Sequence, residues 1–231
     1  MPKLYRKRVA KRKYGRRKSF RRSSKGKPSK AFTKKVKRAV DATAEHKFIG
    51  GTWSPTIDST GLFNYFNLTL PQGTAVGNRV GVKTHNRSFK IRGWLQGADV
   101  SGAMTQVRMI VGVWHDYYSS TPTAAQLLEQ PASLQPSFWT RQTLQARKWT
   151  PMYDRVFNII PRVASQPIAK ESLFNYSLSF SGKKLPKKDQ MWNASGIPQD
   201  IIFMYIFSNY AGAAGSAPRA SMDYRLTYTD V

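Results

Sequence analysis

The sequence predicts an all-β antiparallel fold, a sandwich or a barrel, carrying a basic N-terminal arm. Three observations lead there. Apolar residues recur with a period of two over eight stretches, clusters of Gly, Pro, Ser and Asn separate them, and 19 of the chain's 38 basic residues fall within its first 38 positions.

The arm comes first. Residues 1–38 hold 11 Lys and 8 Arg with no acid, while the remaining 193 residues carry 19 basic and 12 acidic side chains, a net +7 out of the chain's +26. Leu4, Val9, Phe20, Phe32 and Val36 bury too little to offset the entropy of ordering such a segment, and its like charges repel. Residues 1–44 are therefore expected to be largely disordered until a polyanion binds them. Within them AFTKKVKRAVDATA (31–44) places Phe32, Val36, Ala39, Val40 and Thr43 at helical spacing, which leaves a short amphipathic helix and a frayed linker both open.

Residues 45–231 are long enough for one domain with a proper core. LFNYFNLTL (62–70) sets Leu62, Phe66, Leu68 and Leu70 against Phe63, Tyr65 and Thr69. SFKIRGWL (88–95) sets Phe89, Ile91 and Leu95 against Lys90, Arg92 and Trp94. VRMIVGVWH (107–115) sets Val107, Met109, Val111 and Val113 against Arg108, Ile110 and Trp114. Each reads as a strand with one buried face. Further strands are expected at 147–153, 155–160, 173–181, 201–210 and 222–229. PTAAQLLEQ (122–130) reads as a helix opened by proline. Eight strands joined by long, uneven loops suit a sandwich or barrel, and a double-sheet jelly roll is one such solution.

The residues offer little for catalysis. There is no Cys, which removes disulfides, thiolate metal sites and a cysteine nucleophile. His46, His85 and His115 stand alone in sequence, and His115-Asp116 at a strand end points to opposite faces. SGKK (181–184) lacks the earlier glycine of a phosphate loop and is followed by Leu185-Pro186, which opposes a helix. The acids are scattered, without the paired carboxylates of glycosidase or two-metal chemistry. No enzyme, metal or cofactor is expected, nor a transmembrane segment, since the longest apolar run is IIFMYIF (201–207).

What the arm can do is bind phosphates. Arg6, Lys7, Arg8, Lys11, Arg12, Lys13, Arg16, Arg17, Lys18, Arg21, Arg22, Lys25, Lys27, Lys30, Lys34, Lys35, Lys37 and Arg38 are the expected nucleic-acid contacts. Their neutralisation of phosphates releases counterions and gives strong, salt-dependent affinity. Tyr5, Tyr14 and Phe20 between them can stack on unpaired bases. KRKYGRRK (11–18) has the local density of a nuclear import signal. In the body Arg108 and Arg225 lie opposite the apolar strand faces, where a genome-facing inner surface and a salt bridge are both open.

Several stretches carry a family resemblance. These are GTAVGNRVGVKTHNRSFKIRGWL (73–95), VRMIVGVWHDYYSSTPTAAQLL (107–128), YDRVFNI (153–159) and LTYTDV (226–231). In that order behind a basic arm, they resemble the capsid proteins of small circular single-stranded DNA viruses, the circovirus-like group. Satellite virus coat proteins have a similar plan. The resemblance implies an eight-stranded jelly-roll capsid domain over 45–231, self-assembly of about sixty copies into a small icosahedral virion, and a genome-facing arm. It also implies single-stranded nucleic acid as partner, DNA favoured over RNA, and delivery to the host nucleus by import receptors after synthesis in the cytoplasm. The alternative is a ribosomal-type or other single-copy RNA-binding protein. Trp53, Trp94, Trp139, Trp149 and Trp192 are candidates either for subunit interfaces or for ordinary core.

Overall fold

The computed structural model describes residues 29–43, 45–66, 70–74, 78–99, 104–115, 121–129, 148–161, 172–181, 185, 190–193, 195–212 and 214–230. The chain divides into two units, Met1–Thr43 and Ala44–Val231.

In the first unit, α1 (Lys30–Thr43) is the amphipathic helix that the 3.6-residue spacing allowed, in place of a linker. Ser29 starts it: its hydroxyl accepts a hydrogen bond from the Phe32 N–H at 3.1 Å, satisfying one of the donors that a helix N-terminus leaves free. The end of the predicted disordered arm is thus helical. Residues 1–28, on which the rest of that expectation falls, lie outside the described residues.

The second unit is an antiparallel β-sandwich. Its strands are β1 (Lys47–Trp53), β2 (Leu62–Tyr65), β3 (Lys83–Gln96), β4 (Thr105–Trp114), β5 (Trp149–Ile159), β6 (Leu173–Ser181), β7 (Gln190–Met191), β8 (Ile201–Ser208) and β9 (Arg219–Asp230). One sheet has the order β1-β9-β3-β6, with the two-residue β7 also paired to β3. The other has the order β2-β8-β4-β5. Successive longer strands change sheet at every step except β4 to β5, which pair within one sheet, and the last strand returns beside the first. That is the order of a jelly roll, so the all-β, eight-stranded jelly-roll sandwich is the fold.

Alternation builds the core between the sheets. Phe89, Ile91 and Leu95 of β3 meet Val107, Met109, Val111 and Val113 of β4, with Ile202, Met204 and Ile206 of β8 and Met222 and Leu226 of β9. Tyr176 and Phe180 of β6 and Phe157 of β5 close it. Phe66 packs against Phe89 and Tyr224, both at 4.8 Å between ring centroids.

The second sheet departs from the one-buried-face expectation. Ile110, Trp114, Trp149, Ile201, Phe203, Tyr205 and Phe207 form an outer apolar layer with Leu127 and Leu128. The segment supplying those two leucines is only one helical turn, α2 (Ala124–Leu127), shorter than predicted. The Gln126 side chain accepts a hydrogen bond from the Thr123 N–H at 3.0 Å, and the chain turns extended at Leu128 to bury it beside Leu127. On the same side Asp58 Oδ1 accepts hydrogen bonds from the N–H groups of Thr60 and Gly61. Gly61 has φ +75°, and a Cβ there would stand 2.5 Å from the Tyr205 ring, so this turn requires glycine.

Candidate nucleic-acid interface

Of the predicted phosphate contacts, Lys30, Lys34 and Lys35 lie exposed on α1. Lys37 and Arg38 belong to the same helix, and their side chains are outside the described residues, as are all the arm cations from Arg6 to Lys27. Phe32 and Val36, four residues apart, are exposed beside them.

The two arginines proposed for an inner surface have different fates. Arg108 is buried and holds Asp154 through two hydrogen bonds, Nε to Oδ1 at 2.8 Å and Nη2 to Oδ2 at 2.9 Å. Its fork matches the carboxylate geometry and its charge is neutralised across β4 and β5, so of its two open roles the structure carries the salt bridge. Arg225 is exposed on β9 with its guanidinium 4.0 Å above the centre of the Phe48 ring. Register places Lys90 opposite Arg225 and Asp223 opposite Arg92 on the same outward face.

Two further clusters join residues distant in sequence. His115 Nδ1 lies 3.3 Å from Asp200 Oδ1, and its Nε2 lies 2.9 Å from Thr150 Oγ1, which ties the end of β4 to the starts of β5 and β8. The Asp–His–hydroxyl order is that of a nucleophilic relay. Thr150, however, is an exposed strand residue whose hydroxyl competes with bulk water, and the arrangement reads as a strand-end tie. Sequence spacing could not have found it, because Asp200 comes from the bend before β8, far along the chain. At the other end Lys47 Nζ donates to Asp230 Oδ2 at 2.8 Å and to the Asn78 carbonyl at 2.9 Å. The buried Arg79 lies beside them, with Nη1 donating to the Gly81 carbonyl at 2.7 Å and its guanidinium 4.9 Å from the Trp192 ring centre.

Burial, reinforced by the charges of Asp230 and Glu45 and opposed by Arg79, pushes the Tyr228 phenol up to about 12. Burial also raises Tyr176, with Tyr153 adding to it, and Tyr205, with Asp58 adding to it. Tyr205 donates to the Thr60 carbonyl at 2.9 Å. Of the tryptophans singled out, Trp149 and Trp192 are core residues, Trp53 and Trp94 are half-buried, and Trp139 lies outside the described residues. Among the described residues no three His, Asp or Glu side chains gather as a metal site, and no helix is long and apolar enough to cross a membrane.

No protein-family model matches the chain. No curated protein matches it either. Among solved structures it is similar to the infectious bursal disease virus VP2 subviral particle, at 11% identity and a TM-score of 0.26, over 81% of this chain and 33% of that one. It is also similar to T=1 particles derived from the same virus, at 9% identity and a TM-score of 0.25, over 82% of this chain and 36% of that one. The chain spans about a third of the length of these structures. Overlap at this level assigns neither family nor function.

Proposed function

We propose that the chain is a non-enzymatic viral coat protein that self-assembles into a small icosahedral shell around single-stranded nucleic acid, DNA favoured over RNA. The observation that carries this reading is the union of an acid-free run of 19 cations with a jelly-roll domain, residues 45–231, whose own net charge is +8. A jelly roll is a recurrent shell-forming domain, and a flexible cationic segment can follow an irregular polyanion that no rigid surface fits. In this reading residues 45–231 make the shell and residues 1–44 package the genome. The arm cations from Arg6 to Arg38 are the phosphate contacts, and Lys11 to Lys18 also serve as a nuclear import signal. The protein then belongs to the virion, and during infection to the host nucleus and cytoplasm. The sequence motifs support the circovirus-like group as its kind.

The charge balance suits packaging. Sixty copies would bring roughly 1,100 arm charges, enough to neutralise about as many phosphates, the right order for a genome of a few thousand nucleotides. The test replaces Arg16, Arg17, Arg21 and Arg22 by Ala. The body should keep its unfolding transition, while co-purifying nucleic acid falls and the salt dependence of oligonucleotide binding flattens. Unchanged nucleic-acid content in that variant would count against the arm as packager.

A further inference from the structure

The outward face of the β1-β9-β3-β6 sheet brings together cations that the fold does not neutralise. Lys90 stands directly opposite Arg225 in the ladder of β3 and β9, and both are exposed. Like charges in that relation repel and destabilise a ladder. In the next row Arg92 faces Asp223, yet no ion pair joins them, and among the described residues no hydrogen bond engages the side chain of Lys90 or Arg92.

The neighbours keep the cations open. Gly50 of β1 lies opposite Arg225, Ser179 of β6 opposite Lys90, and Ser177 opposite Arg92. A groove of about 560 Å³ is lined by Lys90, Arg92, Asp223, Tyr224, Arg225 and Thr227, three cations to one carboxylate, a size suited to a small ligand or a nucleotide unit. The rows of Lys90 and Arg92 are two residues apart, about 7 Å along the strand, so they offer two anion positions in line. Beside them Phe48, 48% exposed, carries the Arg225 guanidinium on its ring. An exposed aromatic next to unpaired cations is the pairing that holds a base by stacking and its phosphate by charge.

We propose that this face is a second contact for single-stranded nucleic acid, independent of the arm. One phosphate lies between Lys90 and Arg225, the next lies at Arg92, and a base packs at Phe48. That the polyanion is nucleic acid rests on Phe48 and on the packaging reading above; the anion site stands on the Lys90–Arg225 pair alone.

The experiment photo-crosslinks the full-length protein to a short oligothymidylate carrying 4-thiothymine and maps the linked peptides. The Phe48 peptide should crosslink alongside arm peptides. In Lys90→Gln/Arg225→Gln the Phe48 crosslink should fall at least fivefold while the arm crosslinks persist. The slope of log affinity against log salt should shrink by about 0.7, the contribution of the one single-strand phosphate contact that the pair makes. Lys90→Arg keeps the charge and should keep the crosslink, and the double variant should melt close to the parent, because the Lys90–Arg225 repulsion it loses offsets the exposed Arg225–Phe48 contact it also loses. Crosslinks confined to the arm, or a Phe48 crosslink indifferent to the double variant, would overturn the sheet contact and leave the arm reading standing. Displacement of the oligonucleotide from Phe48 alone by a sulfated polysaccharide, at concentrations where excess oligothymidylate fails to displace it, would overturn it in favour of a glycan site. No oligonucleotide bound anywhere would remove the packaging reading as well.

Discussion

The two sheets of the sandwich are built from the same kind of strand and end in opposite surroundings. In β8 every residue is buried: Ile202, Met204 and Ile206 enter the core between the sheets, while Ile201, Phe203, Tyr205 and Phe207 enter the outer apolar layer. In β6 only one side is buried, and Asn175, Ser177, Ser179 and Ser181 face outward. The first pattern is a continuous apolar run and the second a clean alternation, as expected for sheets covered on two faces or on one. The difference divides the labour of the fold: the central strands β4 and β8 of one sheet are committed to stability on both sides, and the other sheet leaves a polar, cationic side free for a partner.

The sharpest way to break this comparison is to remove an aromatic ring from each side of the second sheet. Phe203→Ala in the outer layer should cost about 3–5 kcal/mol in urea unfolding of the unassembled chain, as much as Phe89→Ala in the inner core. A cost near zero at Phe203 would make the outer layer a surface. Next in size is Asp154→Asn, which leaves the buried Arg108 charge without its carboxylate and should cost about 3 kcal/mol by the same measurement. A neutral effect would mean that water replaces the carboxylate.

Alkali should act through the tyrosines. The Tyr228 phenol is pushed up from its ordinary 10.0 to about 12, so the folded state holds the proton more tightly than the unfolded chain. Its contribution is complete below pH 10 and is lost as pH rises from 10 to 12, with Tyr176 and Tyr205 displaced in the same direction. The urea midpoint at pH 11 should lie below that at pH 8, and Tyr228→Phe should reduce the drop. The smallest effect belongs to the free face: Lys90→Ala should change stability by no more than about 0.5 kcal/mol, or raise it, because its ladder partner is Arg225. A large loss there would show the face to be structural.

Period-two patterning made most of the sandwich legible before the structure, and its failures have local causes. β1 was hidden by Gly50-Gly51, which weaken strand propensity; the strand forms because it pairs along its whole length with β9. The stretches 147–153 and 155–160 are one strand, β5. The gap left at residue 154 disappears because β5 is an edge strand that absorbs a register shift between Tyr153 and Pro151, and because Arg108 takes up Asp154. These two errors cancelled in the strand number. IIFMYIF showed a strand but not that both its faces are covered, since that depends on Leu127 and Leu128 from a distant segment. The cationic face was half visible. Lys90, Arg92 and Arg225 could each be placed outward by alternation, but their juxtaposition depends on the β3–β9 register, which no local pattern encodes. The same holds for His115 with Asp200 and for Lys47 with Asp230.

The most direct test of the central claim, a shell-forming body joined to a packaging arm, is velocity sedimentation of the purified full-length protein followed at 260 and 280 nm. The account predicts fast, homogeneous particles rich in 260 nm absorbance, with nuclease treatment then separating DNA from RNA. A slow species of single-chain mass at every salt concentration, with nucleic acid added, would contradict the coat-protein reading and put a single-copy nucleic-acid binder in its place.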